Sequence, residues 1–232
     1  MQPVFRFAPS PNGELHLGHA FSALLNFELS RRTGGRFLLR IEDIDPDRCR
    51  PEYEAAIYRD LAWLGLEWDE PARRQSEHMA EYREATTRLR DMGLVYPAFM
   101  SRAEIAAATA GAQWPRDPDG SPLYPESDRK QAPDAVTARL AAGEAHALRI
   151  DVEKAAAVAG PLQWCEQGEG PEGETGTIAA DPSIWGDFMV ARKDVPTAYH
   201  LAVVVDDARV VGSHCNAGRT ALACLLPDVL NH

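Results

Sequence analysis

What is scarce in this sequence narrows its class before any motif is read. No run of apolar residues approaches the ~20 needed to cross a bilayer. The N-terminus also lacks a charged segment followed by an apolar one, so a cytoplasmic protein without membrane contact is expected. The four cysteines, Cys49, Cys165, Cys215 and Cys224, are scattered with no C-x-x-C pair. Free buried thiols are expected, not a disulfide scaffold or a thiolate metal site. Positive charge is short as well: 24 lysines and arginines stand against 35 aspartates and glutamates, a net charge of −11. Such a surface repels a phosphate backbone at long range and confines nucleic-acid contact to a local basic patch.

What is present is ordinary for a folded enzyme. With 232 residues, 45% of them hydrophobic and 25% charged, the chain has the length and composition to bury a core. "VFRFA" (Val4 to Ala8) reads as a strand, stopped by the prolines and Asn-Gly pair of "PSPNGEL". From His19 onward Phe21, Leu24, Leu25 and Leu29 recur at helical spacing and predict an amphipathic helix with those residues as its apolar face. "GGRFLLRIEDID" predicts a second strand, parallel to the first. Further helices are expected in "RPEYEAAIYRDLAWLGL", "EHMAEYREATTRLRDMGL" and "SRAEIAAATA", the last with Ser101 and Glu104 in capping-box spacing. "AHALRI" predicts a strand, and "WGDFMVARKD" and "AYHLAVVVDDA" read as apolar strand-like runs that resume the sheet.

The alternation of strand and helix predicts an α/β fold with a Rossmann-like parallel sheet and an inserted subdomain. Residues 1–95 form the first part of the nucleotide-binding α/β domain, 96–184 the insertion, 185–209 the return of the α/β domain, and 210–232 an atypical tail. Within the insertion "GEGPEG" (Gly168 to Gly173) satisfies G-x-G-x-x-G, yet Pro171 and the flanking glutamates make a solvated loop rather than a strand-to-helix turn.

The stretch "HLGH" stands where the first strand's loop enters the first helix, the place where open α/β sheets bind nucleotides. Gly18 lets a ligand approach the backbone, and His16 and His19 can donate hydrogen bonds to phosphate oxygens. Taken alone, such a pair is as readily a helix cap with a surface neighbour. A zinc pair fits poorly, since helical metal-binding histidines usually stand four apart.

"RFAPSPNGELHLGH", "RIEDID" and "AYHLAVVVDDA" together resemble the class I aminoacyl-tRNA synthetases of the glutamyl branch. The likeness extends through "RCRPEYEAAIYRDLAWLGLEWD", "RRQSEH" and "GLVYPAFMSRAEI", from about Val4 to Arg209, and is closest to the short glutamyl-queuosine tRNA(Asp) synthetases. The resemblance implies a ligase that binds ATP through His16, Gly18 and His19, with His16 and His19 catalytic, and holds L-glutamate with Arg6, Ala8, Ser10, Glu42 and Tyr199. It implies glutamyl-adenylate as the intermediate and queuosine-bearing tRNA(Asp) as the acceptor, with Mg²⁺ arriving on ATP. Charge supports this: an arginine suits a carboxylate and Glu42 an ammonium. Asp206 and Asp207 are expected to cap a strand end. A fragment of a glutamyl-tRNA synthetase, or a non-catalytic tRNA- or nucleotide-binding relic, is the alternative, and a monomer is expected.

Two departures from the family pattern matter. Many members hold zinc with three cysteines and a tyrosine; the matching positions here are Ala98, Met100, Tyr124 and Asp128, so no zinc is expected and "YPAFM" should pack as an apolar substitute. After "VVVDDAR" the family's further strand and lysine-bearing loop are replaced by "VVGSHCNAGRTALACLLPDVLNH", and the only lysines are Lys130, Lys154 and Lys193. A truncation or frameshift near Val210 is expected, with His214 and Arg219 given no role. Loss of one preorganised charge-stabilising donor lowers a rate by roughly 10²–10³-fold.

Overall fold

The computed structural model describes residues 2–111, 113–166 and 173–210. "GEGPEG", apart from Gly173, and the tail beyond Val210 lie outside them. The described residues form two compact units, one of those up to Glu81 together with those from Val205 onward, the other Tyr82–Val204. Their boundaries fall inside helices, whereas the divisions at 95/96 and 184/185 mark changes in sequence character.

The first unit opens with strand β1 (Val4–Phe7), helix α1 (Leu17–Arg32), β2 (Arg36–Ile41), α2 (Pro51–Trp63) and the short β3 (Arg73–Arg74). β1 pairs parallel with β2, Val4 opposite Arg36 and Phe7 opposite Leu39, and β2 pairs parallel with β3. Gly35 permits this entry: Arg36 N–H donates to the Pro3 carbonyl at 2.9 Å, and a Cβ on Gly35 would stand 2.6 Å from that same oxygen. Alternation gives the sheet two different faces. Phe5, Phe7, Phe37, Leu39 and Ile41 join Ala23 of α1 and Ile57 and Leu61 of α2 in a buried core. Each such side chain contributes about 1.5–3 kcal/mol by leaving water. The alternate positions carry Arg6, Arg40 and Arg73.

Helix α1 forms where expected, but of its expected apolar face only Leu29 packs, half-buried, against the core, and the rest faces outward. Leu17 and Phe21 are 86% and 66% exposed, and Leu24 and Leu25 are exposed as well. The buried side holds Ala23, Asn26 and Ser30. Small residues let the helix lie close on the sheet, and the two polar ones satisfy themselves locally: Asn26 donates to the Ser22 carbonyl at 2.8 Å and Ser30 to that of Phe27 at 2.6 Å.

The second unit contains β4 (Val95–Ala98), α4 (Arg102–Ala108), α5 (Pro133–Ala141), β5 (Ala147–Ile150), α6 (Val152–Ala159), β6 (Leu162–Glu166), β7 (Gly176–Ala180) and β8 (Met189–Ala191). The helix α3 (Met79–Asp91) leads into it, and α4 carries the expected reciprocal cap between Ser101 and Glu104. β4, β5 and β8 form an antiparallel sheet and β6 and β7 a hairpin. "WGDFMVARKD" therefore adds a strand to this antiparallel sheet and does not resume the parallel one. The thiols differ from expectation too: Cys49 is half-buried and Cys165 exposed.

"AYHLAVVVDDA" is not a strand. Tyr199–Ala208 is helix α7, with Leu201, Ala202, Val203 and Val204 all buried. A short apolar run buried all round has no periodicity by which a strand and a helix can be told apart. Asp206 and Asp207 accordingly lie in the last helical turn. Asp206, 2% exposed, accepts from Arg73 Nε and Gln75 Nε2, each at 2.8 Å, and its Oδ2 is 3.7 Å from Arg40 Nε. Removing one partner of a buried ion pair typically costs about 3–5 kcal/mol. Asp206→Ala is expected to lower the unfolding free energy by about that much, read from urea denaturation followed by circular dichroism.

Candidate active site

The site is assembled around the carboxyl ends of β1 and β2. Glu42 N–H donates to the Pro9 carbonyl at 3.0 Å, and Arg50 N–H to that of Pro11 at 2.9 Å. These bonds pin the proline-punctuated loop after β1 to the segment after β2. Ser10 Oγ lies 3.9 Å from Cys49 Sγ, which lies 3.9 Å from the Glu42 carbonyl. The structure thus brings Arg6, Ala8, Ser10 and Glu42 to one end of the parallel sheet. Tyr199 opens α7 in the other unit, 53% exposed.

The same loop enters α1 through the two histidines. His16 is the N-cap; its Nδ1 accepts from Gly18 N–H at 3.1 Å, while His19 Nδ1 accepts from His16 N–H at 3.2 Å. The rings stack with centroids 3.8 Å apart. An Nδ1 that accepts an N–H holds no proton, so each neutral imidazole carries its proton on Nε2 and presents a donor there. Burial, and then the neighbouring His16, lower the His19 pKa and favour its neutral form. Capping therefore uses one nitrogen of each ring and leaves the other to donate.

Gly18 has a more specific task than backbone approach. A Cβ there would lie 3.0 Å from His16 Cε1 and 3.2 Å from its Nδ1. The His16 ring, folded back over the helix start, would have to give by a few tenths of an ångström to admit one.

The charges of the site form a connected row. Arg6 Nη1 and Arg40 Nη1 both donate to Asp207 Oδ1 at 2.7 Å. Arg40 also donates to Glu42 Oε1, from Nη2 at 2.7 Å and Nε at 3.2 Å. Burial pushes the Glu42 carboxyl above its ordinary value, against the pull of the Arg40 charge and its hydrogen bond. Sequence reasoning named Arg6 and Glu42, missed Arg40, and read Asp207 as a cap at a strand end and not as part of the site. Arg40 was detectable as the residue two before Glu42, on the same side of an extended chain. Asp207 was not, because it lies 201 residues from Arg6. A cavity of about 90 Å³ is lined by Arg6, Arg40, Arg73, Asp206 and Asp207 among others.

In the second unit the positions matching the family's zinc ligands also converge, around a carboxylate. Asp128 Oδ2 accepts from Phe99 N–H at 2.8 Å, Met100 N–H at 3.3 Å and the Tyr124 hydroxyl, and its Oδ1 accepts from Gln131 at 2.5 Å. Ala98 and Phe99 are buried as the expected apolar packing requires, and a hydrogen-bonded hub stands beside them, because two backbone N–H groups there need an acceptor. Burial, and then the bond to Asp128, push the Tyr124 pKa up and keep its hydroxyl a donor. Among the described residues no three or more His, Cys, Asp or Glu side chains are grouped to hold a metal ion.

Comparison with known proteins shows the family. The family described as tRNA synthetases class I (E and Q), catalytic domain, matches residues 4–218. A glutamyl-Q tRNA(Asp) synthetase of Rhodobacter capsulatus is 42% identical over 226 residues, covering 93% of this chain and 76% of that protein. A glutamate–tRNA ligase of a Synechococcus strain is 36% identical over 247 residues, covering 100% of this chain and 47% of the ligase. The crystal structure of a glutamate–tRNA synthetase from Elizabethkingia anophelis superposes with a TM-score of 0.70 at 25% identity, over 89% of this chain and 42% of that one. The chain thus spans less than half the length of the latter two. No helix among the described residues is long and apolar enough to cross a membrane.

Two outcomes follow from the site's construction. Gly18→Ala should crowd the His16 ring and shift it by a few tenths of an ångström, seen as a change in the His16 ring signals of long-range ¹H–¹⁵N spectra. Asp128→Ala should cost about 1–3 kcal/mol by stranding buried donors, seen as a lower melting temperature, while added chelator leaves the melting temperature of the unaltered protein unchanged.

Proposed function

The chain belongs to the class I tRNA synthetases of glutamate and glutamine, and from that premise we propose that it activates glutamate with ATP and transfers it to queuosine in the anticodon of tRNA(Asp). The observation that carries the reading is the joining of Arg6 and Glu42, through Asp207 and Arg40, beside a helix start that offers two imidazole donors. A site with a cation on one side and a carboxylate on the other suits an amino acid with a second carboxylate.

In this reading Glu42 accepts from the ammonium of glutamate and Arg6 pairs with its side-chain carboxylate. Ala8 and Ser10 complete the pocket within the first unit. His16 and His19 donate from Nε2 to the phosphate oxygens of ATP, which brings its own Mg²⁺, and Gly18 holds His16 in place. The α-carboxylate of glutamate attacks the α-phosphorus and pyrophosphate leaves. A hydroxyl of the queuosine cyclopentenediol then attacks the carbonyl carbon of the adenylate; AMP leaves with the bonding pair and the hydroxyl proton is released. The donors at α1 stabilise charge as it shifts onto pyrophosphate, a contribution of roughly 10²–10³-fold in rate per donor.

A second acceptor, the terminal ribose of tRNA(Glu), is favoured by the likeness to glutamate–tRNA ligases along the whole chain. The two readings share the activation step and part at the tRNA. Glutamate-dependent ATP–pyrophosphate exchange is expected, lowered about 10²-fold or more by His16→Ala or His19→Ala. Charging of queuosine-bearing tRNA(Asp) in preference to tRNA(Glu) supports the first acceptor, and the reverse preference the second. A protein that shows neither exchange nor glutamate-stabilised ATP binding would overturn the catalytic reading altogether.

Acid should weaken glutamate binding earlier than an ordinary carboxylate predicts. Glu42 must be ionised to accept from an ammonium, and its pKa is raised. Affinity is expected to fall as pH drops through that raised value, which calorimetric titration with glutamate across pH measures.

A further inference from the structure

Arg40 and Asp207 are placed where neither needs to touch a ligand, yet both govern residues that would. Arg40 is 3% exposed and lies in β2, fixed on three sides. Its guanidinium donates to Glu42 Oε1 through Nε and Nη2, donates to Asp207 Oδ1 through Nη1, and stands 3.7 Å from Asp206. This rigid fork leaves Glu42 with one oxygen committed. Among the described residues no donor meets the other, Oε2. Asp207 does the corresponding work for Arg6: its Oδ1 bridges two guanidinium groups, which would otherwise face each other as like charges. The row Arg6, Asp207, Arg40, Glu42 alternates in sign and sums to zero.

We propose that Arg40 and Asp207 are positioning residues that hold Arg6 and Glu42 at a fixed separation and in opposite charge states, and so set the preference for an amino acid bearing a second carboxylate. This rests on the reading above, in which Arg6 and Glu42 hold glutamate. Without the negative charge of Asp207, Arg6 is pushed away from Arg40 and loses its aim. Without Arg40, Glu42 keeps its burial and loses its main cation; the charged groups still near it are Arg6 of β1 and Asp207 of α7, one of each sign. Its proton is then released only at higher pH, and the ammonium loses its acceptor.

The test is calorimetric binding of glutamate and, separately, of ATP to the full chain and to Asp207→Asn, Asp207→Glu and Arg40→Met. Asp207→Asn is expected to weaken glutamate binding about tenfold or more with ATP binding unchanged. Asp207→Glu, which keeps the charge, should recover most of that loss. Arg40→Met should move the fall of glutamate affinity upward by about one pH unit or more. A bridge that only stabilised the fold would lower the melting temperature and leave both the glutamate-to-ATP ratio and the pH profile in place. Variants that bind glutamate like the unaltered protein, or an Asp207→Glu variant no better than Asp207→Asn, overturn the proposal and leave the glutamate site standing. An unaltered protein that binds no glutamate overturns the site itself, and this proposal with it.

Discussion

Two consecutive carboxylates in the last turn of α7 meet three arginines aligned on one face of the parallel sheet, and the first unit is organised about that meeting. Arg6, Arg40 and Arg73 come from three strands, so Asp206 and Asp207 connect all three to a helix more than a hundred residues further along the chain. Carboxylates at a helix C-terminus oppose the helix dipole, and buried arginines without partners are costly. Each set of charges is tolerable only because of the other. The same contacts leave Arg6 and Glu42 tied to a common frame at the end of the sheet where class I synthetases and other open α/β proteins bind their ligands.

The start of α1 shows a similar economy of atoms. Its first turn has backbone N–H groups with no helical partner, and the two histidines supply acceptors through Nδ1. The cap then fixes which nitrogen of each ring bears the proton. A helix start capped in this way offers Nε2–H donors together with the positive end of the helix dipole, a combination suited to phosphate. Gly18 belongs to this arrangement because the ring of His16 occupies the space its Cβ would need. Reading the pair as a cap and reading it as a phosphate-binding motif describe the same geometry from its two sides.

Local patterns were legible where local physics decided the outcome. The proline-stopped first strand, the parallel partner after the glycine pair, the Pro51 start of α2 and the Ser101–Glu104 cap all formed from residues a few positions apart. The helical spacing of Phe21, Leu24 and Leu25 was real, but spacing gives a face and not its direction. Ala23, Asn26 and Ser30 are buried instead, because the sheet beneath admits only a close approach. α7 was misread because its valine run suits a strand intrinsically, and burial on all sides removed the alternation that separates the two structures.

The sequence by itself determined the α/β order, the family signature around "HLGH" and "RIED", and the presence of Arg6 and Glu42 among the residues at the end of the parallel sheet. It could do so because caps, turns and strand alternation depend on neighbours in the chain. Only the tertiary structure decided that Arg6 and Glu42 are linked through Asp207 and Arg40, that Asp128 stands at the centre of a hydrogen-bonded hub, and which side of α1 is covered. Ion pairs and burial depend on distances in space between residues far apart in sequence, and no local pattern contains those distances.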